Sequence, residues 1–384
     1  MSIGPEYVEP SVYKSSQIIT YMGNKRKLLS YIETEIDEIQ KKLGSLPLKI
    51  GDGFSGSGVV SRLLKTKATD LYANDLAGYS KTLNDCYLAN PTKTELTKIK
   101  GYIDRANKLA DDAVHNSPSN ATDDWISKHW SPKTQHIKEG ERTYYTCENG
   151  RRIDTIRNYI ETIPAKYRSF VLAPLLVECS IHNNTNGQFA AYYKDKDGKK
   201  GEFGGKTKTD VKRITQSITL PYPIFEKTKC NIHSTQSDVI EWAKSQNSML
   251  DIVYYDPPYN KHPYNIYYFM LDIINDWDKT QEIPDTYRGQ PNTRVKSMYN
   301  STVNAKKALN ELIQNTQAKY ILLSYNEGGI IPISELDQLL ANHSKNVKKI
   351  PIDHKTYNRL KGLSNYNRTG DCKPVKEYLY VIQM

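Results

Sequence analysis

The chain has no run of apolar residues near the ~20 that a membrane span requires. Its first residues, Met1 to Ser16, carry no apolar stretch of the signal-peptide type. A membrane partner is therefore not expected, and a cytosolic setting is. Cysteine is scarce: Cys86, Cys147, Cys179, Cys230 and Cys372 make five, an odd number with no Cys-x-x-Cys spacing. That argues against a disulfide framework or a structural zinc site and for reduced thiols. The eight histidines are scattered, with no His-Glu-x-x-His helix, so no metal is expected. The Gly-x-Gly-x-x-Gly fingerprint of dinucleotide folds is missing, and so is a phosphate loop ending in Gly-Lys-Ser/Thr. A nicotinamide-dependent dehydrogenase is disfavoured on that ground. No internal repeat stands out.

What is present begins with charge. The 384 residues carry 53 Lys and Arg against 43 Asp and Glu, a formal net charge of +10. A basic surface suits a polyanionic partner. Aromatic content is dominated by 29 tyrosines, against six phenylalanines and four tryptophans. Tyrosine combines a stacking face with a hydrogen-bonding tip, which suits contacts with bases.

Hydrophobic periodicity places α/β units at both ends of the chain. After Tyr21-Met22-Gly23-Asn24-Lys25, the residues Leu28, Leu29, Ile32, Ile36 and Ile39 recur at helical spacing. Strands are expected at Leu48–Gly51, Leu71–Ala73, Ile252–Tyr255, Tyr320–Ser324 and Tyr378–Ile382. Between them, residues 91–224 read as a mostly helical insertion with one polar, hairpin-like excursion from Asn183 to Thr209. From Gly187 to Arg213 that excursion holds eight Lys/Arg against four Asp/Glu. A second basic stretch, His343 to Lys376, holds nine against two. The expected organisation is a discontinuous catalytic domain, 15–90 with 225–384, around an inserted region, 91–224.

Two constellations carry chemistry. Asp52-Gly53-Phe54-Ser55-Gly56-Ser57-Gly58 follows the strand at Leu48–Gly51. Glycines there let the backbone approach a ligand closely. Asp52 can bind an amino group. Asp75, 23 positions on at the end of the next strand, suits ribose hydroxyls. A zwitterionic nucleoside satisfies both acids. The second constellation, Asp256-Pro257-Pro258-Tyr259, sits at the carboxyl end of an apolar strand, where open α/β sheets bind ligands. Two prolines fix φ and remove two donors. A carboxylate and a carbonyl can then accept both hydrogens of an aromatic amine while Tyr259 stacks on its ring.

These motifs, in this order and with Tyr21 to Lys25 ahead of them, resemble the N6-adenine DNA methyltransferases of the α motif order, the Dam-type group. Ser237-Asp238, Ser324-Tyr325-Asn326 and Val375-Lys376-Glu377-Tyr378-Leu379 add to the resemblance. It implies an α/β fold: a Rossmann-like methyltransferase sheet with a mostly helical target-recognition insertion. It implies S-adenosyl-L-methionine as methyl donor and double-stranded DNA as partner, with a cognate restriction endonuclease as a further candidate partner. The oligomeric state stays open. The setting implied is the cytoplasm of a bacterial or phage-infected cell. Residue by residue, Tyr21, Gly23 and Lys25 would flank the cofactor. Asp52, Phe54, Gly56 and Gly58 would hold its methionine end, and Asp75 its ribose. Asp238 would accept from its adenine amine and is equally placed to cap the helix that follows. Asp256, Pro257, Pro258 and Tyr259 would be catalytic.

Candidate DNA contacts are the amides Asn183, Asn184, Asn186 and Gln188 and the cations Lys194, Lys199, Lys200, Lys206, Lys208, Arg359 and Arg368. Amides pair with adenine edges, arginine pairs with guanine, and lysines meet phosphates. The tyrosine-rich loop Asn260 to Tyr268 is a candidate cover for an extruded base. Alternatives of the same chemistry are an N4-cytosine DNA or an RNA amino-methyltransferase. Aspartate at the head of the catalytic motif favours adenine. The alternative of another class is a catalytically silent DNA-binding protein on the same fold.

Overall fold

The structure is a computed structural model, and it describes residues 4–115, 124–208, 210–261, 263–291, 297–354 and 375–384. Among these, nine strands occur in chain order. They are β1 (Glu6–Tyr7), β2 (Leu48–Asp52), β3 (Ala68–Asp75), β4 (Ile224–Phe225), β5 (Asn231–Gln236), β6 (Leu250–Tyr255), β7 (Ala318–Asn326), β8 (Val347–His354) and β9 (Val375–Gln383). The α-helices are α1 (Pro10–Ser15), α2 (Leu29–Lys42), α3 (Val59–Lys65), α4 (Gly78–Tyr87), α5 (Lys93–His115), α6 (Trp125–His129) and α7 (Cys147–Thr162), then α8 (Ala165–Ile181), α9 (Val211–Thr215), α10 (Val239–Lys244), α11 (Tyr264–Asp276), α12 (Ala305–Asn315) and α13 (Ile333–His343). The chain falls into two compact units.

One unit comprises Met1–Lys27, Ser55–Gln236 and Tyr264–Val295. Within it β3 pairs parallel with β5, Leu71 facing Ile232, and β1 pairs parallel with β4. Its core is helical. On α5 the buried Ile99, Ile103, Ala106 and Ala110 recur at helical spacing. On α7 the same holds for Ile153, Ile156 and Ile160. Helix α8 is apolar over most of its circumference and buries Leu172, Leu175, Leu176 and Cys179. A helix apolar all round belongs in a core rather than at a surface. Residues 91–224 hold α5 to α9 and, between α8 and α9, a turn-rich segment.

The other unit comprises Leu28–Phe54, Ser237–Pro263 and Lys296–Met384. Its strands run in the order β2-β6-β7-β9-β8. β2, β6 and β7 are parallel, with Ile50 facing Ile252 and Ile252 facing Tyr320. β9 then lies antiparallel to both β7 and β8. Parallel strands buried on both faces read as continuous apolar runs, and β6 is such a run from Ile252 to Tyr255. Helix α2 buries Ile32, Ile36 and Ile39, the residues its spacing singled out. The chain is thus mixed α/β with mainly parallel pairing, a Rossmann-like methyltransferase arrangement as expected. The antiparallel edge formed by β8 and β9 lay outside the sequence expectations for this sheet.

Among the described residues, no helix is long and apolar enough to cross a membrane. No group of three or more His, Cys, Asp or Glu is placed to hold a metal. Cys86, Cys147, Cys179 and Cys230 are free thiols.

Candidate functional site

The glycine turn begins at the end of β2 with Asp52, fully buried. The Gly53 amide donates to the Tyr254 carbonyl at 3.0 Å and so extends the parallel ladder. A Cβ on Gly53 would lie 2.4 Å from the Tyr255 ring, so no side chain fits there. Phe54 meets Tyr255 and Tyr299 edge-on, with centroids 6.0 and 5.2 Å away. In the same unit Asp238 caps α10, its Oδ1 accepting from Ile240 at 2.8 Å and Glu241 at 3.4 Å.

The rest of the turn belongs to the other unit. Gly56 and Gly58 take φ of +51° and +75°, the left-handed region that glycine enters without steric cost. The Gly56 amide donates to Asp75 Oδ2 at 2.7 Å, and the Ala77 amide donates to Oδ1 at 2.9 Å. Burial holds the Asp75 carboxyl above its ordinary range, and these amides offset part of that rise. Gly58 closes the turn, donating to the Ser55 carbonyl at 2.7 Å and accepting from Arg62 to start α3. Tyr21 is the neighbour of Gly56: a Cβ there would come 3.0 Å from its ring. Tyr21 is stacked on Tyr268 and Tyr264 at centroid distances of 4.8 and 5.3 Å. Gly23 has φ of +76°, and Lys25, buried to 5% exposure, opens a short 3-10 turn.

Asp256 to Tyr259 leave the end of β6. The last strand residues are pinned by hydroxyl bonds of 2.8 Å, Tyr254 to Ser324 and Tyr255 to Thr316. Asp256 is half-buried and Pro257 buried. The Tyr259 carbonyl accepts from the Ile330 amide at 2.9 Å, and its ring meets Tyr325 at 5.9 Å and 64°. Tyr325 is itself fixed, its hydroxyl accepting from the Ile331 amide at 2.9 Å. Below it, Tyr325 and Asn326 on β7 face Tyr378 and Glu377 on β9, and Asn326 donates to Glu377 at 3.1 Å. Two short motifs far apart in sequence are therefore in register on adjacent strands.

The basic excursion is a small hairpin. Lys194 bridges Gly201, and a tight turn at Gly198 joins them. Lys199, Lys200 and Lys206 are exposed. Lys194 lies over the Tyr287 ring at 4.0 Å, and Lys208 pairs with Glu202. Asn186 is exposed, and Gln188 donates to the Met22 sulfur at 3.3 Å. Asn183 and Asn184 depart from the expectation that they read bases. Both are buried, and their side chains bond the main chain: Asn183 to Cys179 and Ser180, Asn184 to Glu202 and Gly204. They build the hairpin's base. Arg359 and Arg368 lie outside the described residues.

The expected loop Asn260 to Tyr268 is also corrected. It becomes helical at Tyr264, whose i, i+4 partner Tyr268 presents the same face to Tyr21. That tyrosine pair was missed as a partner of Tyr21, although its helical spacing was visible in the sequence. Arg62 and Arg213, each bonded to three main-chain carbonyls, were missed as well.

Comparison with known proteins gives this geometry a family. The family model described as D12 class N6 adenine-specific DNA methyltransferase matches residues 21–335. The chain is 27% identical over 375 residues to Type II methyltransferase M.NlaIII of Neisseria lactamica, covering 95% of this chain and 99% of that protein. It is 25% identical to Type II methyltransferase M.CviAII of Paramecium bursaria Chlorella virus 1, covering 95% and 98%. It is 26% identical to Type II methyltransferase M.FokI of Planomicrobium okeanokoites, covering 94% of this chain and 52% of that one. The family match spans both the glycine turn and the Asp-Pro-Pro-Tyr turn, and the chain belongs to the D12 class of N6 adenine-specific DNA methyltransferases.

Proposed function

We propose that this DNA methyltransferase moves the methyl group of S-adenosyl-L-methionine to N6 of an adenine extruded from double-stranded DNA. The observation that carries this reading is Asp256-Pro257-Pro258-Tyr259 at the end of β6, inside the matched family span.

The residues present fit the methyl donor. Gly56 and Gly58, both at positive φ, keep side chains off the turn. Asp75 accepts from the Gly56 amide through Oδ2 and from the Ala77 amide through Oδ1, and a carboxylate offers about four lone-pair sites. The capping bonds of Asp238 both use Oδ1. When bound, S-adenosyl-L-methionine supplies an electrophilic methyl on a sulfonium. Tyr21, Gly23 and Lys25 would flank it; Asp52, Phe54, Gly56 and Gly58 would hold its methionine end; Asp75 would hold its ribose and Asp238 its adenine amine.

Adenine in a duplex hides its amine in the stack, so the base must leave it. Tyr259 stacks on the extruded ring, and Tyr325 sets the angle of Tyr259. The Asp256 carboxylate and the Pro257 carbonyl accept the two amine hydrogens. That draws the nitrogen lone pair out of ring conjugation and makes it nucleophilic. Positive charge developing on the amine is stabilised by Asp256. Pro258 keeps the turn rigid. No covalent enzyme intermediate is required.

On this reading 15–90 and 225–384 form the catalytic domain and 91–224 the target-recognition region. Lys194, Lys199, Lys200, Lys206 and Lys208 meet phosphates, and Asn186 and Gln188 reach base edges. The setting is the cytoplasm of a bacterial or phage-infected cell, with a cognate restriction endonuclease as companion. The test is transfer of labelled methyl from S-adenosyl-L-methionine to separate duplex DNA and RNA substrates. Label in DNA that is lost with Asp256→Ala supports the reading. Label in RNA alone, or undiminished by that substitution, contradicts it.

A further inference from the structure

Arg62 lies one turn into α3, just beyond the glycine turn, and is buried to 1% exposure. Its guanidinium does not point back to that turn. It donates to three main-chain carbonyls of the N-terminal segment: Tyr13 at 2.9 Å, Ser16 at 2.5 Å and Gln17 at 2.9 Å. The Tyr87 and Tyr13 rings flank it, their centroids 4.2 and 5.4 Å from Cζ. A planar fork of donors suits such a cluster of acceptors, and a lysine ammonium cannot reproduce it.

The clamped segment is where the chain bends out of α1. Helix α1 ends at Ser15, and Gln17 then takes φ of +51°, unusual for a residue with a Cβ. The Gln17 side chain is held too, donating to the Tyr222 carbonyl at 2.7 Å and accepting from the Ile224 amide at 3.2 Å. Four residues on is Tyr21, whose ring abuts Gly56. Arg62 therefore ties the strap that carries Tyr21 to the helix that the glycine turn starts.

We propose that Arg62 is a positioning residue for methyl-donor binding, acting through Tyr21 by fixing the 13–17 bend. This rests on the reading that Tyr21 and the glycine turn flank S-adenosyl-L-methionine. The experiment is a double-mutant cycle on the full-length protein, with calorimetric Kd for S-adenosyl-L-methionine, KM, kcat and Tm for wild type, Tyr21→Ala, Arg62→Lys and the double variant. Arg62→Lys is expected to weaken binding about tenfold, the equivalent of one charge-assisted hydrogen bond. It should raise KM for the donor while kcat at saturation stays within about twofold. In the Tyr21→Ala background the same substitution should add little. Equal losses in both backgrounds, or no loss at all, overturn the inference. An unaltered Kd in Tyr21→Ala alone overturns the prior reading of Tyr21, and this inference with it. Should Arg62→Lys fail to fold, Gln17→Gly keeps the left-handed backbone while dropping two side-chain bonds. It is expected to show the same selective loss, and an unaltered Kd there counts against the proposal.

Discussion

The glycine turn and the basic hairpin are both loops rich in glycine and polar side chains, yet their atoms are used differently. In the turn, Asp52 is fully buried, Asp75 is bonded to two amides, and Gly53 has no room for a side chain. In the hairpin, Lys199, Lys200 and Lys206 are exposed, and a Cβ on Gly198 would meet nothing within 4 Å. The base of the hairpin is as closed as the turn, because Asn183, Asn184 and Arg213 tie it to main-chain carbonyls and amides. On the proposed function, the difference is between a site that holds a small molecule in one pose and a surface that follows a charged polymer. The first needs fixed backbone; the second needs charge on a firm footing.

Substitutions can break this contrast, the largest effects falling on the closed turns. Asp256→Asn removes a charged acceptor but keeps the shape. We expect kcat to fall about 10²–10³-fold with little change in Tm, as for loss of one group that stabilises developing charge. Steady-state methyl transfer measures it, and a loss under tenfold argues against the role. Next comes a matched pair of glycines. Gly53→Ala drives a methyl into the Tyr255 ring, and overpacking of this kind costs about 1–3 kcal/mol. Gly198→Ala meets open space and bears only the strain of φ +70°, about 1 kcal/mol. Denaturant unfolding should rank Gly53→Ala as the more damaging, and the reverse order would erase the contrast.

Smaller effects belong to the hairpin. Lys199→Ala with Lys200→Ala should reduce the slope of log K for DNA against log salt by roughly two units, about 0.9 per phosphate contact. An unchanged slope would take these lysines off the DNA. The smallest effect is pH-dependent. His182, at the hairpin's base, bonds Glu178 at 3.0 Å and the Arg213 carbonyl at 2.6 Å. Burial lowers its pKa, but those bonds outweigh burial and leave it raised from 6.5. A raised folded-state value stabilises fully below the unfolded value and is lost as pH climbs through the folded one. Protection of the 183–185 amides, their exchange rate relative to the intrinsic rate at each pH, should therefore fall as pH climbs above 6.5 through the raised folded-state value, and His182→Gln should flatten that dependence. Wild-type protection that stays constant as pH rises above 6.5 would contradict it.

These contrasts also explain what the sequence disclosed. Strands β2 and β6 and helix α2 were legible because burial writes period and composition directly. Gly56, Gly58 and Asp75 were legible because a tight turn admits few residue types. Asn184 misled because an amide is equally suited to a base edge and to a buried carbonyl, and composition does not separate the two. Arg62 gave no signal, since its partners are main-chain carbonyls that every sequence contains. Tyr264 and Tyr268 looked like loop residues beside Asp256, although their spacing of four was helical. The antiparallel β8–β9 edge depends on long-range register, which local pattern does not encode.

The central claim is that the Asp256 turn presents an adenine amine to a sulfonium methyl. The most direct measurement incubates the purified protein with duplex DNA and S-adenosyl-L-methionine bearing a deuterated methyl, then resolves the digested nucleosides by mass. Deuterium is expected in N6-methyladenine alone. Deuterated N4-methylcytosine, or N6-methyladenine without the label, would contradict it.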